Sequence, residues 1–166
     1  MAAGNFEKRL ARLEAIEQIK QLQVRYVNAL VYPNWDDLID CFADDAIVDM
    51  NAGWGQGKEE ITRIFKVVAA PNHIGQEGPF AVHPIISVDG DTAKGSWLMY
   101  LQFAQPRKLV PRPNIGQGED APDWRQGFYE TEYKKMNGQW KISFLKYRVR
   151  LLSPRIPPSS EGGKND

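Results

Sequence analysis

The side chains able to do chemistry in this sequence are few and widely spaced. His83 could act as a general base, because imidazole titrates near neutral pH. The favoured alternative is a histidine that only flanks a strand before Pro84. His73 and His83 lack the spacing of a metal site and have no evident third ligand, so no metal is expected, and no other cofactor. Tyr26 carries a phenol that can stabilise charge developing on a carbonyl oxygen; it reads equally well as a core aromatic with a satisfied hydroxyl. Asp49 would serve as a base if it faced a cavity that raised its pKa. Asp44 and Asp45 are adjacent carboxylates, read here as turn and capping residues. Arg107, Lys108 and Arg112 could clamp a carboxylate, although a solvated loop beside Glu119, Asp120 and Asp123 is the preferred reading. Cys41 is the only cysteine, so no intramolecular disulfide can form. It lies on a predicted apolar helix face without a visible activating base, as a buried inert thiol would.

The elements that would position these groups follow from periodicity. Apolar residues from Phe6 through Leu10, Leu13, Ile16, Ile19, Leu22 (or Gln23) and Tyr26 to Leu30 recur at helical spacing, predicting a helix over 6–30. Pro33 ends it. Asn34 then caps a short helix, Trp35–Phe42, with Asp36 and Asp37 favoured by the dipole of its first turn. An acidic corner, Ala43-Asp44-Asp45, leads into a strand over 46–51. The glycine-rich segment 52–57 is read as a connection. It matches neither phosphate-binding glycine pattern. A helix Lys58–Ala70 follows, stopped by Pro71.

Beyond this point the period becomes two. Strands are predicted at Phe80–Val88, Thr92–Phe103, Trp124–Met136 and Gln139–Leu152. Asp89-Gly90-Asp91 and Asn137-Gly138 supply hairpin turns. The proline-rich stretch 104–123 reads as a lid-like loop, and 153–166 as a disordered tail. The expected architecture is α+β, a cone-shaped barrel of N-terminal helices packed on one face of a strongly curved antiparallel or mixed sheet. One domain over 1–152 is expected, with a pocket at the open end of the cone.

Bulk properties limit the partners. Lys plus Arg (21) equals Asp plus Glu (21), so nothing in the charge balance favours nucleic acid or an anionic membrane surface. The charged N-terminus has no apolar core of a signal peptide, and no run approaches a membrane span. A cytoplasmic location is the default expectation.

Taken in order, several segments resemble the SnoaL-like group of the nuclear transport factor two-like superfamily. They are Arg25-Tyr26-Val27-Asn28-Ala29-Leu30, Trp35-Asp36-Asp37-Leu38 and Phe42-Ala43-Asp44-Asp45-Ala46-Ile47-Val48. Val88-Asp89-Gly90-Asp91-Thr92-Ala93, Phe128-Tyr129-Glu130-Thr131-Glu132-Tyr133 and Asn137-Gly138-Gln139-Trp140-Lys141-Ile142 complete the set. The likeness to steroid isomerases implies that Tyr26 takes the place of their oxyanion-binding tyrosine. It sets Met50 where they have a proton-shuttling carboxylate, and Thr131 near their second carboxyl. The likeness to bile-acid dehydratases again implies a pocket role for Tyr26, and one for Tyr129. Their aspartate falls on Val31, their histidine near Pro79, and their partner aspartate near Leu101. The tyrosines are kept and the acid/base groups are replaced. A register shift before His83 would be needed to restore a histidine.

With Met50 aimed inward by this resemblance, Asp49 is expected on the solvated or interface side. Trp97, Met99, Leu101 and Phe103 are the inward choice on their strand. Tyr26, His83 and Tyr129 are therefore the candidate catalytic residues. Met50, Trp54, Phe80, Trp97, Met99, Leu101, Trp124 and Thr131 are the candidate pocket residues. The expected function is binding of a hydrophobic polyketide, steroid or aromatic compound in the cone, with cofactor-independent lyase or isomerase chemistry as one possibility. A non-catalytic ligand-binding or oligomerisation module, or a small subunit of an oxygenase, is the alternative. The superfamily likeness also implies a homo-oligomer, dimer or trimer.

Overall fold

The computed structural model describes residues 2–72, 77–103 and 124–152. The lid-like loop 104–123, the tail 153–166 and the residues His73, Arg107, Lys108 and Arg112 lie outside the described residues.

The chain opens with α1 (Ala2–Val31) and α2 (Trp35–Asp40). The break between them is capped as the sequence suggests. The Asn34 side chain accepts a hydrogen bond from the Asp37 backbone N–H at 3.2 Å, satisfying one orphan donor of the first turn. Arg25 of α1 then ties the two helices together. Its guanidinium donates to Asp37 at 2.9 Å and to Asp40 at 2.8 Å. Strands β1 (Phe42–Met50) and β2 (Gly53–Gln56) form a hairpin, followed by α3 (Gly57–Thr62). The helix continues with wider π-type turns over Arg63–Ala69 and a 3-10 turn over Ala70–Asn72. Four strands complete the described fold: β3 (Glu77–Asp89), β4 (Thr92–Phe103), β5 (Trp124–Met136) and β6 (Gln139–Leu152).

The strands make one mixed sheet in the order β2-β1-β6-β5-β4-β3. All neighbours are antiparallel except β1 and β6, which run parallel in its interior. With the helices on its concave face, this is a cone-shaped α+β fold. The β5–β6 turn has the chemistry its sequence requires: Asn137 and Gly138 both adopt positive φ (52° and 80°), the geometry of a type I′ hairpin. The core gathers α1 residues such as Ile19, Leu22 and Tyr26 against Phe42, Val48, Trp97, Tyr129, Ile142 and Leu145.

Two sequence expectations need correction. The acidic corner does not interrupt the chain, because β1 already begins at Phe42 and α2 stops at Asp40. Pairing with β6 decides this: the Ile142 N–H donates to the Cys41 carbonyl at 2.9 Å and opens the ladder there. The surplus residues before Ile47 are absorbed as a bulge, since Phe42 pairs with Ile142 and Ile47 already with Phe144. Asp44 and Asp45 are consequently strand residues rather than caps, paired with Lys58 and Lys134. The glycine-rich segment is likewise a strand, because residues 53–56 add to the free edge of β1 and satisfy its backbone groups.

Candidate functional site

The concave face carries a row of phenols. Tyr26 of α1 is completely buried. Its ring stands edge-on to Phe42 (5.7 Å between centroids), Phe65 (6.3 Å) and Tyr129 (6.0 Å). Its hydroxyl lies 3.8 Å from the Met50 sulfur. Tyr129 packs in turn on Tyr147, at 5.4 Å and tilted by 45°. Gly127 makes room for that last ring. A Cβ there would sit 2.8 Å from the Tyr147 ring and 2.1 Å from the Arg148 carbonyl oxygen. Burial drives the Tyr26 phenol well above its ordinary pKa, and the neighbouring Tyr129 hydroxyl pushes the same way. Burial also raises Tyr129, with partial relief from its hydrogen bond to Tyr26. Tyr147 is raised by burial and drawn back by Arg125. At neutral pH the row therefore holds protons: it can donate to an oxygen but cannot accept a proton as a base. The buried Tyr147 hydroxyl has no hydrogen-bond partner among the described residues.

Beside this row lies a polar knot. The Tyr133 hydroxyl accepts from Trp97 Nε1 and from Thr131 Oγ1, and donates to Gln23 Oε1, each at 2.9 Å. Thr131 Oγ1 also stands 3.0 Å from the Gly95 carbonyl oxygen. Gly95 is small for a reason, since a Cβ there would come 2.7 Å from Thr131 Oγ1. Burial pushes the Tyr133 phenol up to about 12, against the hydrogen bonds from Thr131 and Trp97, which lower it.

A cleft of about 310 Å³ runs between α1 and β3. Gln23, Val24, Val27, Asn28 and Val31 form one wall and residues 78–82 the other. Val31 and Pro79 both line this cleft. Neither can move a proton.

The predicted site residues are distributed as follows. Trp97, Met99, Tyr129 and Thr131 are buried on the concave side, and Met50 and Leu101 are partly buried against the core. Phe80 borders the cleft and is 52% exposed. Trp54 is 61% exposed on β2. Trp124 stacks on Tyr100 at 5.7 Å, in register positions that alternate away from Leu101 and Arg125. His83 is exposed on the edge strand β3, within the bulge between Val82 and Ile85, and adopts φ +51°. The fold thus groups Tyr26, Tyr129, Met50, Trp97 and Thr131, and sets His83, Trp54 and Trp124 apart from them. Asp49 turns to the other side, with Arg148 at 3.3 Å and Lys146 at 3.6 Å. Among the described residues, no three His, Cys, Asp or Glu side chains cluster as metal ligands would.

Sequence reasoning gave no role to Gln23, Tyr133 or Tyr147. Gln23 did leave a signal. It is a polar residue on an apolar helical stripe, four after Ile19 and three before Tyr26. Tyr133 and Tyr147 follow the strand alternation of their neighbours, but nothing local distinguishes a polar knot from plain core.

The sheet, helices and concave face define a cystatin-like protein of the nuclear transport factor two-like class. The SnoaL-like domain pattern matches residues 11–146, and the chain belongs to that family. Among solved structures, hexachlorocyclohexane dehydrochlorinase LinA-type3 from Novosphingobium barchaimii superposes with a TM-score of 0.70. It shares 19% identity, over 90% of this chain and 99% of that one. A candidate scytalone dehydratase from Novosphingobium aromaticivorans gives 0.68 at 16% identity, over 93% and 97%. A further protein of the same species, described as NTF2-like with a cystatin-like fold, gives 0.69 at 16%, over 87% and 88%. At such identities the likeness establishes the fold. No helix among the described residues is long and apolar enough to cross a membrane.

Proposed function

We propose that this protein binds a hydrophobic small molecule of polyketide, steroid or aromatic type, seated in the cleft between α1 and β3. One observation carries this reading. The cleft wall is mainly aliphatic, and the resemblance to bile-acid dehydratases sets their aspartate on Val31 and their histidine near Pro79. A site of this composition retains the means to hold an apolar ligand and has lost that route to proton transfer.

A second reading, a cofactor-independent lyase or isomerase, is supported by the adjacent buried phenols of Tyr26 and Tyr129, with ring centroids 6.0 Å apart. In that reading they polarise a substrate carbonyl, and His83 is the remaining candidate to carry a proton. Thermal unfolding of the full chain with a panel of steroid ketones, naphthols and aromatic acids separates the two. Ligand at about 100 times its Kd stabilises by about 2.7 kcal/mol. Val24 is 47% exposed on the cleft wall, so Val24→Trp can fill the cleft from the solvent side. Binding is expected to fall in that variant, and a stabilisation that persists unchanged contradicts the cleft as the site. Product analysis on the same mixtures decides between the readings. Turnover that disappears in Tyr26→Phe while the fold survives replaces the binding reading with the catalytic one.

A further inference from the structure

We infer that the Gln23 side-chain amide is the specificity-determining donor of the cleft, and that the cleft takes an uncharged apolar molecule bearing a carbonyl or similar oxygen acceptor. The inference deepens the proposed function and rests on it.

Gln23 occupies the boundary between two faces of α1. With Ile19 and Tyr26 it belongs to the buried core stripe, and with Val24, Val27 and Val31 it lines the cleft. Its residue is fully buried, and its amide oxygen lies 2.9 Å from the Tyr133 hydroxyl. The Thr131 hydroxyl has one proton for both Tyr133 and the Gly95 carbonyl; with that proton on Tyr133, which also accepts from Trp97, the Tyr133 proton goes to Gln23 Oε1. The amide nitrogen must then point away from Tyr133, and Nε2 finds no hydrogen-bond partner among the described residues. A buried amide N–H without an acceptor is unfavourable, so an acceptor arriving in the cleft gains more here than at a solvated surface.

Charge selects further. Among the described residues that line the cleft there is no Asp, Glu, Lys, Arg or His. A carboxylate or ammonium ligand would lose hydration there with no countercharge from these residues to offset it. Val24, Val27 and Val31 reward an apolar body, and the amide rewards one neutral oxygen. If the amide were reversed, with nitrogen on Tyr133, its oxygen would face the cleft and a ligand N–H would be preferred. The two orientations therefore predict opposite selectivity.

Four bicyclic probes of similar size test this on the full chain by amide proton–nitrogen NMR titration: 1-indanone (acceptor), indane (neither), indole (donor) and indane-1-carboxylate (anion). The expected result is that 1-indanone binds about tenfold tighter than indane, equivalent to about 1.4 kcal/mol, and shifts the Gln23 side-chain NH2 resonances. Gln23→Met keeps the length and removes the donor, and is expected to bring 1-indanone down to the affinity of indane. Equal binding of 1-indanone and indane, with Val24 and Val27 resonances moving, overturns the amide's role and leaves the cleft as the site. Tightest binding by indole or by the carboxylate overturns the selectivity. If none of the four moves a cleft resonance, the site reading fails and the inference with it. The Gln23 NH2 shift is read in the unsubstituted chain, so a poorly folded Gln23→Met does not remove the test.

Discussion

Replacing Tyr133 by phenylalanine removes one oxygen from the polar knot and leaves the ring in place. Tyr133 is 1% exposed, so water cannot take over its hydrogen bonds. Three contacts are lost, from Trp97, from Thr131 and to Gln23. They do not count equally. Thr131 can turn its proton fully to the Gly95 carbonyl, already 3.0 Å away. Among the described residues Trp97 Nε1 and Gln23 Oε1 have no such alternative, and they become buried groups without partners there. Each such group costs about 1–3 kcal/mol, which gives roughly 2–4 kcal/mol for the pair after some relaxation. That is a large share of a typical total of about 5–15 kcal/mol. The melting temperature should fall by roughly 5–15 °C at this chain length. Urea unfolding, followed by tryptophan fluorescence, should give a lower midpoint with an unchanged slope. Tyr26→Phe is the control, because among the described residues its hydroxyl meets the Met50 sulfur at 3.8 Å and the Tyr129 hydroxyl, and it should cost less. A Tyr133→Phe loss below about 1 kcal/mol, or one no larger than the control's, would mean that the knot is not held by these bonds. Pairing Tyr133→Phe with Gln23→Met should cost less than the two separate losses added, since the bond between them can be lost only once.

The remaining predictions concern packing and pH. Gly127→Ala places a methyl 2.1 Å from the Arg148 carbonyl oxygen and 2.8 Å from the Tyr147 ring. A cost of at least about 1–3 kcal/mol by chemical denaturation is expected, and a neutral result would show that the β5–β6 strands can separate there without strain. For alkaline pH, the sign follows from Tyr133, which is raised to about 12 in the folded chain from an unfolded value of about 10. Cys41 is likewise raised to about 12 by burial. The unfolded chain releases these protons first, so their stabilisation is complete below the unfolded values and declines as pH rises towards 12. Unfolding free energy measured across that range should therefore drop, and Cys41 should resist thiol reagents until the fold opens. Rapid labelling of Cys41 in the folded chain at neutral pH would contradict its burial.

The sequence by itself determined most of the elements. The helical stripe from Phe6 to Leu30, the period-two runs and the Asn137-Gly138 turn are local patterns. The strands at Thr92–Phe103, Trp124–Met136 and Gln139–Leu152 accordingly fall at the boundaries those patterns predict. Propensity and alternation act over a few residues, and a single chain displays them directly. Long-range pairing decided what local pattern could not. Whether Ala43–Asp45 turned or extended depended on β6, almost a hundred residues later, offering its backbone to Cys41 and Phe42. The glycines of β2 had weak strand propensity and became a strand because β1 had a free edge.

The site divides in the same way. Tyr26 and Tyr129 were legible as chemically interesting phenols, but their burial, which keeps them protonated donors, comes from packing against Phe42, Phe65 and Tyr147. His83 looked reactive in sequence. Its exposure follows from a bulge in an edge strand, a property of sheet registry rather than of the residue. Gln23 lies 110 residues from Tyr133, and no local pattern relates them. Only the closing of the sheet over α1 brings the two together, fixing one end of the amide and leaving the other without a hydrogen-bond partner among the described residues.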